Sequence, residues 1–204
     1  MSDRAAPLVL ASASPRRLDL LAQARIVPDH VRPADIDESP KKDETPTALA
    51  ERLSREKAAQ VHAPGQFTLA GDTVVALGRR ILPKAAAPRE VAECLALLSG
   101  RAHQVLTGLA VQAPDGRLSA RVVVSRVVFK RLTQAEIDAY AQGGDGVGKA
   151  GGYAIQGEAA PFVRRINGSY TGIVGLPLYE AVSMLEGLGY RRAGVSAGNG
   201  NGAV

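Results

Sequence analysis

Leu8-Val9-Leu10-Ala11-Ser12-Ala13-Ser14-Pro15-Arg16-Arg17-Leu18-Asp19-Leu20-Leu21 passes from a strand pattern to a helix pattern in one short stretch. Leu8 to Ala11 is an apolar run of the kind that fills a sheet core. Leu18, Leu20 and Leu21 form the apolar side of a helix. Ser14 is a good N-cap, and Pro15 suits the first helical position, where its missing N–H is no loss. Arg16 and Arg17 then fall in the first turn, where the helix dipole disfavours positive charge. An anion held between these arginines and the free N–H groups of the turn would make them favourable, because arginine grips phosphate with a two-pronged fork. The alternative is a pair of solvated arginines at a surface helix start.

The same alternation continues along the chain and defines an α/β class. The patterns predict strands near 8–12, 26–32, 67–77, 103–113 and 118–130, and helices near 15–24, 46–62, 88–98, 133–142 and 177–188. Thr45 before Pro46 is a cap followed by proline, Ala87-Pro88 opens a third helix, and Thr133 with Glu136 fits a capping box. Pro114-Asp115-Gly116 turns between two strands. Residues 1–193 read as one unit with a cleft, and the Gly/Ala/Asn/Ser-rich residues 194–204 as a disordered tail.

Composition limits the function classes. A chain of 204 residues with 46% hydrophobic content can build one sizeable core or two lobes on one sheet. The net charge of +5 fits a polyanion or a small anionic substrate equally. Five Tyr, three Phe and no Trp argue against single-strand stacking platforms and leave nucleic acid the weaker reading. One cysteine, Cys94, excludes an internal disulfide, reads as a buried helix residue, and fits a reducing compartment. His30, His62 and His103 are scattered and read as structural. With no apolar run of membrane length and no secretory segment, the expectation is a cytoplasmic protein without membrane partners.

Several segments carry candidate chemistry. In Leu69-Ala70-Gly71-Asp72-Thr73-Val74-Val75, one acid stands in an apolar strand. A buried carboxylate needs a partner, a cation or cleft water, so Asp72 reads as a general base or metal ligand, or as a turn residue at the strand start. Asp35, Asp37 and Glu38 form an acidic loop, which reads either as a solvated loop or as a set of oxygens suited to magnesium or manganese. Lys57, taken alone, reads as a surface charge on the second helix. Gly146 to Gly151 matches G-x-G-x-x-G, and Gly143 to Lys149 mimics a P-loop. Both lack the required context, since a helix precedes them, Tyr153-Ala154-Ile155 after them reads as a strand, and Ala150 replaces the P-loop Ser/Thr. What survives is a glycine-rich loop able to present N–H groups and Lys149 to phosphate, leading to Gln156, whose amide could read a base edge. Gly168 to Leu178 is a second glycine-rich segment opening a helix.

Taken together, Ser12 to Arg17, Gly71 to Val75, Leu98 to His103, Lys149 to Gly157 and Gly168 to Leu178 resemble, in order, the Maf family of nucleotide pyrophosphatases. The resemblance implies hydrolysis of a nucleoside triphosphate to the monophosphate and pyrophosphate with a divalent metal, Mg2+ or Mn2+. It implies a two-lobed α/β fold similar to the inosine triphosphatases, with a central mixed sheet flanked by helices and the active site between the lobes. Asp72 matches the family's catalytic acid, the base that activates water. Ser14, Arg17, Lys57, Lys84 and Lys149 match phosphate-binding positions, and Glu38 with Asp72 matches the acidic pair for metal.

Arg16, Thr73 and Gln156 match the three positions that separate family branches, in the form seen in the branch acting on dTTP and UTP. CTP and modified pyrimidine triphosphates are further candidates. The 7-methyl-GTP branch is the alternative, as is a septum-formation regulator or nucleic-acid-binding protein without catalysis. Two segments depart from the family pattern: Pro83-Lys84-Ala85 stands for Gly-Lys-Pro, and Gly148 for an Asp before Lys-Ala-Gly. Asp145 is a nearby acid. A homodimer is compatible with the resemblance.

Overall fold

The computed structural model describes residues 6–192, so the tail expected over 194–204 lies outside the described residues. In chain order the elements are β1 (Leu8–Ala11), α1 (Pro15–Gln23), β2 (His30–Val31), α2 (Pro46–Val61), β3 (Phe67–Leu77), β4 (Arg80–Leu82), α3 (Pro88–Leu98), β5 (Ala102–Gln112), β6 (Leu118–Phe129), α4 (Gln134–Gly143), β7 (Val163–Asn167), α5 (Tyr170–Val174) and α6 (Leu178–Gly187). The strands form one seven-stranded sheet in the order β2-β1-β3-β5-β6-β7, with β4 paired to β3. β1 runs parallel to β2 and β3, and the remaining pairs are antiparallel. The architecture is the α/β class with a central mixed sheet flanked by helices.

The sheet's two faces are distinguished by the period-2 alternation of β3 and β5. One face carries Ala70, Asp72, Val74 and Ala76 with Leu106, and packs against Leu49, Ala50 and Leu53 of α2. On the other face Leu69, Leu109 and Val111 join α1 and α6 in one apolar cluster. Val75, Val105, Val127 and Phe129 join α3, α4 and Tyr153 in a second. Between these clusters, along the same strands, stand Gly71, Thr73 and Thr107. A polar seam therefore crosses the middle of an otherwise apolar face, and the functional groups collect there.

Most local signals produce the expected elements. The Thr45 hydroxyl accepts from Ala48 N–H, and Thr133 with Glu136 forms the reciprocal capping box. Cys94 is buried in α3. Three expectations need correction. The strand expected over 26–32 is reduced to His30–Val31, because Pro28 has no N–H for a ladder and Val27 points into solvent. Tyr153-Ala154-Ile155 is not a strand. Gly151 and Gly152, both at positive φ, bend the chain before it, and the Ala154 N–H donates to the Tyr140 hydroxyl rather than to a ladder. The segment 168–178 opens two helices, with Ser169 capping the short α5 before α6 begins. β4 and β7 escaped the sequence reading because each is short and rich in charge or polar ends.

His103 is structural, as expected. Its Nε2 lies 2.7 Å from the Tyr153 hydroxyl, and its ring stands edge-on to Phe129 and Tyr153. Burial pushes its imidazole down to about 4 from 6.5. A depressed histidine favours the unfolded chain as acid is added, since that state takes the proton first. Stability from this group is therefore full above about pH 6.5 and falls progressively toward about pH 4. Urea unfolding at pH 7 and pH 5 should show a loss of about 2 kcal/mol that is absent in His103→Gln. An equal loss in the variant would assign the acid sensitivity elsewhere.

Candidate active site

β3 is paired on both sides at its ends but not in its middle. β1 accompanies it only as far as Ala70, and β4 joins only from Val75. Over Gly71 to Val74 the strand has β5 on one side and an opening on the other. The opening exists because β1 leaves the sheet at Ala11 and turns at Ser12-Ala13-Ser14 into α1. Ligands of open α/β sheets sit in such crevices, beyond the carboxyl end of a strand where the sheet divides. Here the crevice is a cleft of about 500 Å³, and it is lined by all ten residues expected from sequence: Ser14, Arg16, Arg17, Glu38, Lys57, Asp72, Thr73, Lys84, Lys149 and Gln156.

Asp72 is 2% exposed on the α2 side of β3. Lys57 Nζ donates to its Oδ1 at 2.6 Å and also pairs with Glu38 Oε1 at 2.5 Å. Lys84 pairs with the second oxygen of Glu38. The four groups alternate in sign, Asp72–Lys57–Glu38–Lys84, so each buried charge has an opposite neighbour. Burial acts to raise Glu38, but hydrogen bonds from Lys57 and Lys84 outweigh it and hold the carboxyl at about 2. Lys57 is not the surface charge it resembles in isolation, for its side chain is 8% exposed. The signal was present in the helix period, because Leu49, Ala50, Leu53, Ser54, Lys57 and Ala58 make one buried stripe.

Arg17 approaches β3 from the opposite face and is buried. Its Nε donates to the Gly175 carbonyl (2.8 Å) and its Nη1 to Ser12 Oγ (2.8 Å). Nη2 lies 3.5 Å from Thr73 Oγ1. Thr73 also meets Thr107 Oγ1 at 3.3 Å, and Thr107 donates to the Gly172 carbonyl at 2.8 Å. Arg17 thus ties the loop after α5 to the turn before α1, while part of its fork faces the cleft. Ser14 occupies the N-cap position of α1, but its hydroxyl makes no capping bond. Arg16, beside it, has a buried Nε without a hydrogen-bond partner among the described residues. Thr107 and Ser12 were missed by sequence reasoning; each reads locally as an ordinary polar residue in or after a strand.

The two segments that depart from the family pattern meet each other. Gly148 N–H donates to the Ala85 carbonyl (2.7 Å), Ala85 N–H to the Lys149 carbonyl (3.2 Å), and Gly151 N–H to the Pro83 carbonyl (2.9 Å). This stitching holds Lys84 and Lys149 on neighbouring strips of one wall, with the Lys149 ammonium 3.2 Å from the Val147 carbonyl. Asp145 takes no part in the cleft lining; it accepts from the Tyr140 hydroxyl (3.2 Å) and the Glu158 N–H (3.1 Å) and so fastens the loop that carries Gln156.

Glu38 and Asp72 are the two carboxylates lining the cleft. No group of three or more metal-type side chains occurs among the described residues. Two carboxylates are a sufficient protein share for a hard divalent cation that completes its shell with water and substrate phosphate oxygens. The donor set therefore fits a cation that arrives with its substrate better than a resident, fully caged one.

A family model described as Maf-like protein matches residues 7–188. A dTTP/UTP pyrophosphatase of Hyphomonas neptunium is 66% identical over 92% of this chain and 98% of its own length. Proteins of the same name from Caulobacter vibrioides and Rhodospirillum rubrum are 61% and 57% identical, over 90% and 91% of this chain and 96% and 89% of their own. Among solved structures, a nucleoside-triphosphatase / dITP/XTP pyrophosphatase from Mycobacterium abscessus aligns with a TM-score of 0.38 and 18% identity, over 61% of this chain and 74% of that one. With the family model covering nearly the whole described body, and relatives of this identity matching over about nine-tenths of the chain, the chain belongs to the Maf family.

Proposed function

We propose that the protein is a nucleoside triphosphate pyrophosphatase acting on dTTP and UTP. The observation that carries this reading is the convergence of one buried carboxylate, Asp72, with five cationic side chains from four separate segments in a single cleft. A triphosphate needs such a distribution of positive charge, and a water nucleophile needs an acceptor for its proton. The names of the relatives supply the substrates.

In the proposed reaction a water attacks the α-phosphorus, the bond to the β-phosphoryl oxygen breaks, and pyrophosphate leaves. Asp72 orients the water and takes its proton; the hydrogen bond from Lys57 to its Oδ1 holds the carboxylate in place. Arg17, Lys84, Lys149 and the Ser14 turn hold the phosphate oxygens and offset the developing charge, a contribution of positioning and electrostatics rather than covalent chemistry. Mg2+ or Mn2+ would be held by Glu38 and Asp72, and when bound supplies further charge neutralisation at the phosphates. Residues 1–193 act as one catalytic unit, and a single buried thiol, Cys94, fits a cytoplasmic setting.

Arg16, Thr73 and Gln156 are proposed to set the base preference. Gln156 is exposed on the cleft wall, where a neutral amide can donate to and accept from a pyrimidine edge. The test is pyrophosphate release from dTTP, UTP, CTP, 7-methyl-GTP and ITP with magnesium or manganese. Turnover should be greatest with dTTP and UTP. Gln156→Glu should shift the kcat/KM ratio of UTP to 7-methyl-GTP by roughly 10-fold or more toward the cationic base, the usual size of one lost hydrogen bond in a specificity site. An unchanged ratio removes Gln156 from the selection, and silence toward every triphosphate removes the pyrophosphatase reading itself.

A further inference from the structure

Glu38 reaches the cleft on residues 32–45, a long connection between β2 and α2 with no helix or strand of its own. Connections of that length keep a fixed course only where something grips them. The grip here is one stripe of α2, Arg52, Glu56 and Gln60, spaced so that all three share a side of the helix. Gln60 Nε2 donates to the Asp35 carbonyl at 2.5 Å. Arg52 donates side by side to both oxygens of Glu44, from Nε at 2.7 Å and Nη2 at 2.9 Å. Its Nη2 also reaches the Ser39 carbonyl at 3.0 Å, and its Nη1 meets Glu56 Oε2 at 3.0 Å. The Arg52 and Glu44 side chains are 15% and 8% exposed, so this fork is largely withdrawn from water.

We infer that Arg52 is a positioning residue for the cleft: it fixes the backbone beside Glu38 through the Ser39 carbonyl and Glu44, while Lys57 grips the carboxylate itself, so that Glu38 arrives beside the Lys57–Asp72 pair. The holds on Asp35, Ser39 and Glu44 flank Glu38 on both sides, and Arg52 supplies those on its C-terminal side. Only a planar fork satisfies Glu44, Ser39 and Glu56 together; a lysine ammonium is a point charge that cannot span them. Arg52 is not among the residues that line the cleft, and its hydrogen bonds go to Glu44, Ser39 and Glu56.

The inference rests on the pyrophosphatase reading for its activity arm and on geometry alone for its second arm. In the first, Arg52→Met, Arg52→Lys, Glu38→Gln and the Arg52→Met/Glu38→Gln pair are assayed on dTTP with magnesium, below the melting temperature of each. Arg52→Met should lower kcat roughly 10- to 100-fold, the cost of misplacing a group by about an ångström, and Arg52→Lys by less. In the Glu38→Gln background the same substitution should change kcat by less than about twofold, since the residue it positions is already disabled. An equal loss in both backgrounds, or no loss in the wild-type background, overturns the inference. In the second arm, folded wild type and Arg52→Met are treated with endoproteinase Lys-C, and cleavage after Lys41 or Lys42 is followed by mass spectrometry. Faster nicking there in the variant supports the strap even if no triphosphate is turned over, and equal nicking overturns it.

Discussion

Asp72→Asn should lower kcat for dTTP and UTP by at least about 10²-fold while leaving the melting temperature within a few degrees of wild type, the usual scale for loss of a general base. Asparagine preserves the volume and one acceptor oxygen, so the packing of β3 against α2 is retained. What disappears is the negative charge and the basicity that accepts a proton from water. Lys57 would not be stranded, because its ammonium also pairs with Glu38 Oε1 at 2.5 Å. This second partner is what makes the substitution a clean probe of chemistry rather than of folding. Steady-state pyrophosphate release and thermal unfolding on the same preparation decide it. Wild-type kcat in the variant would remove Asp72 from its role; a large drop in melting temperature would show instead that the charge serves mainly to neutralise Lys57.

The α/β class was legible because the strand and helix periods switch cleanly, as at Leu8 to Leu21 and at Thr45-Pro46. The placement of the cleft was not. It depends on β1 ending at Ala70's level and β4 starting only at Val75, a fact of sheet pairing that no local pattern encodes. Asp72 stood out because an acid in an apolar strand is costly. Lys57 did not, because a lysine on a helix is ordinary until its register with Leu49, Leu53 and Ser54 is counted. Glu38 was indistinguishable from Asp35 and Asp37 by composition; the structure separates them by which side chain lies opposite Lys57 and Lys84. Arg52 was invisible for a further reason. Its role is to hold a loop, and a loop's course is fixed by tertiary contacts rather than by its own sequence. The resemblance placed the site residues in one cleft ahead of the geometry, but it did not show that Arg17 is also bonded into the turn and loop around it.

Gly108→Ala should unfold more readily than any of these variants, by at least about 3 kcal/mol, the upper range for overpacking a core site. Gly108 lies opposite Asp72 in the β3–β5 register and directly beneath α2. A Cβ there would stand 2.0 Å from the Ala50 carbonyl oxygen and 2.6 Å from its carbon. Both are backbone atoms, so no rotamer change relieves the contact; the helix itself must move outward. Movement at Ala50 also carries Lys57, two turns along the same helix, away from Asp72. The fraction that stays folded should therefore lose kcat as well as stability, joining a steric change in β5 to the chemistry of β3. Gly187→Ala is the matched control. Gly187 ends α6 with nothing within 4 Å of an added methyl, and alanine there should be neutral or stabilising by up to about 1 kcal/mol. Urea unfolding followed by circular dichroism reads both variants. A Gly108→Ala protein as stable as wild type would mean that α2 sits further from the sheet than these distances place it, and the Lys57–Asp72 pair would then have to be looser too.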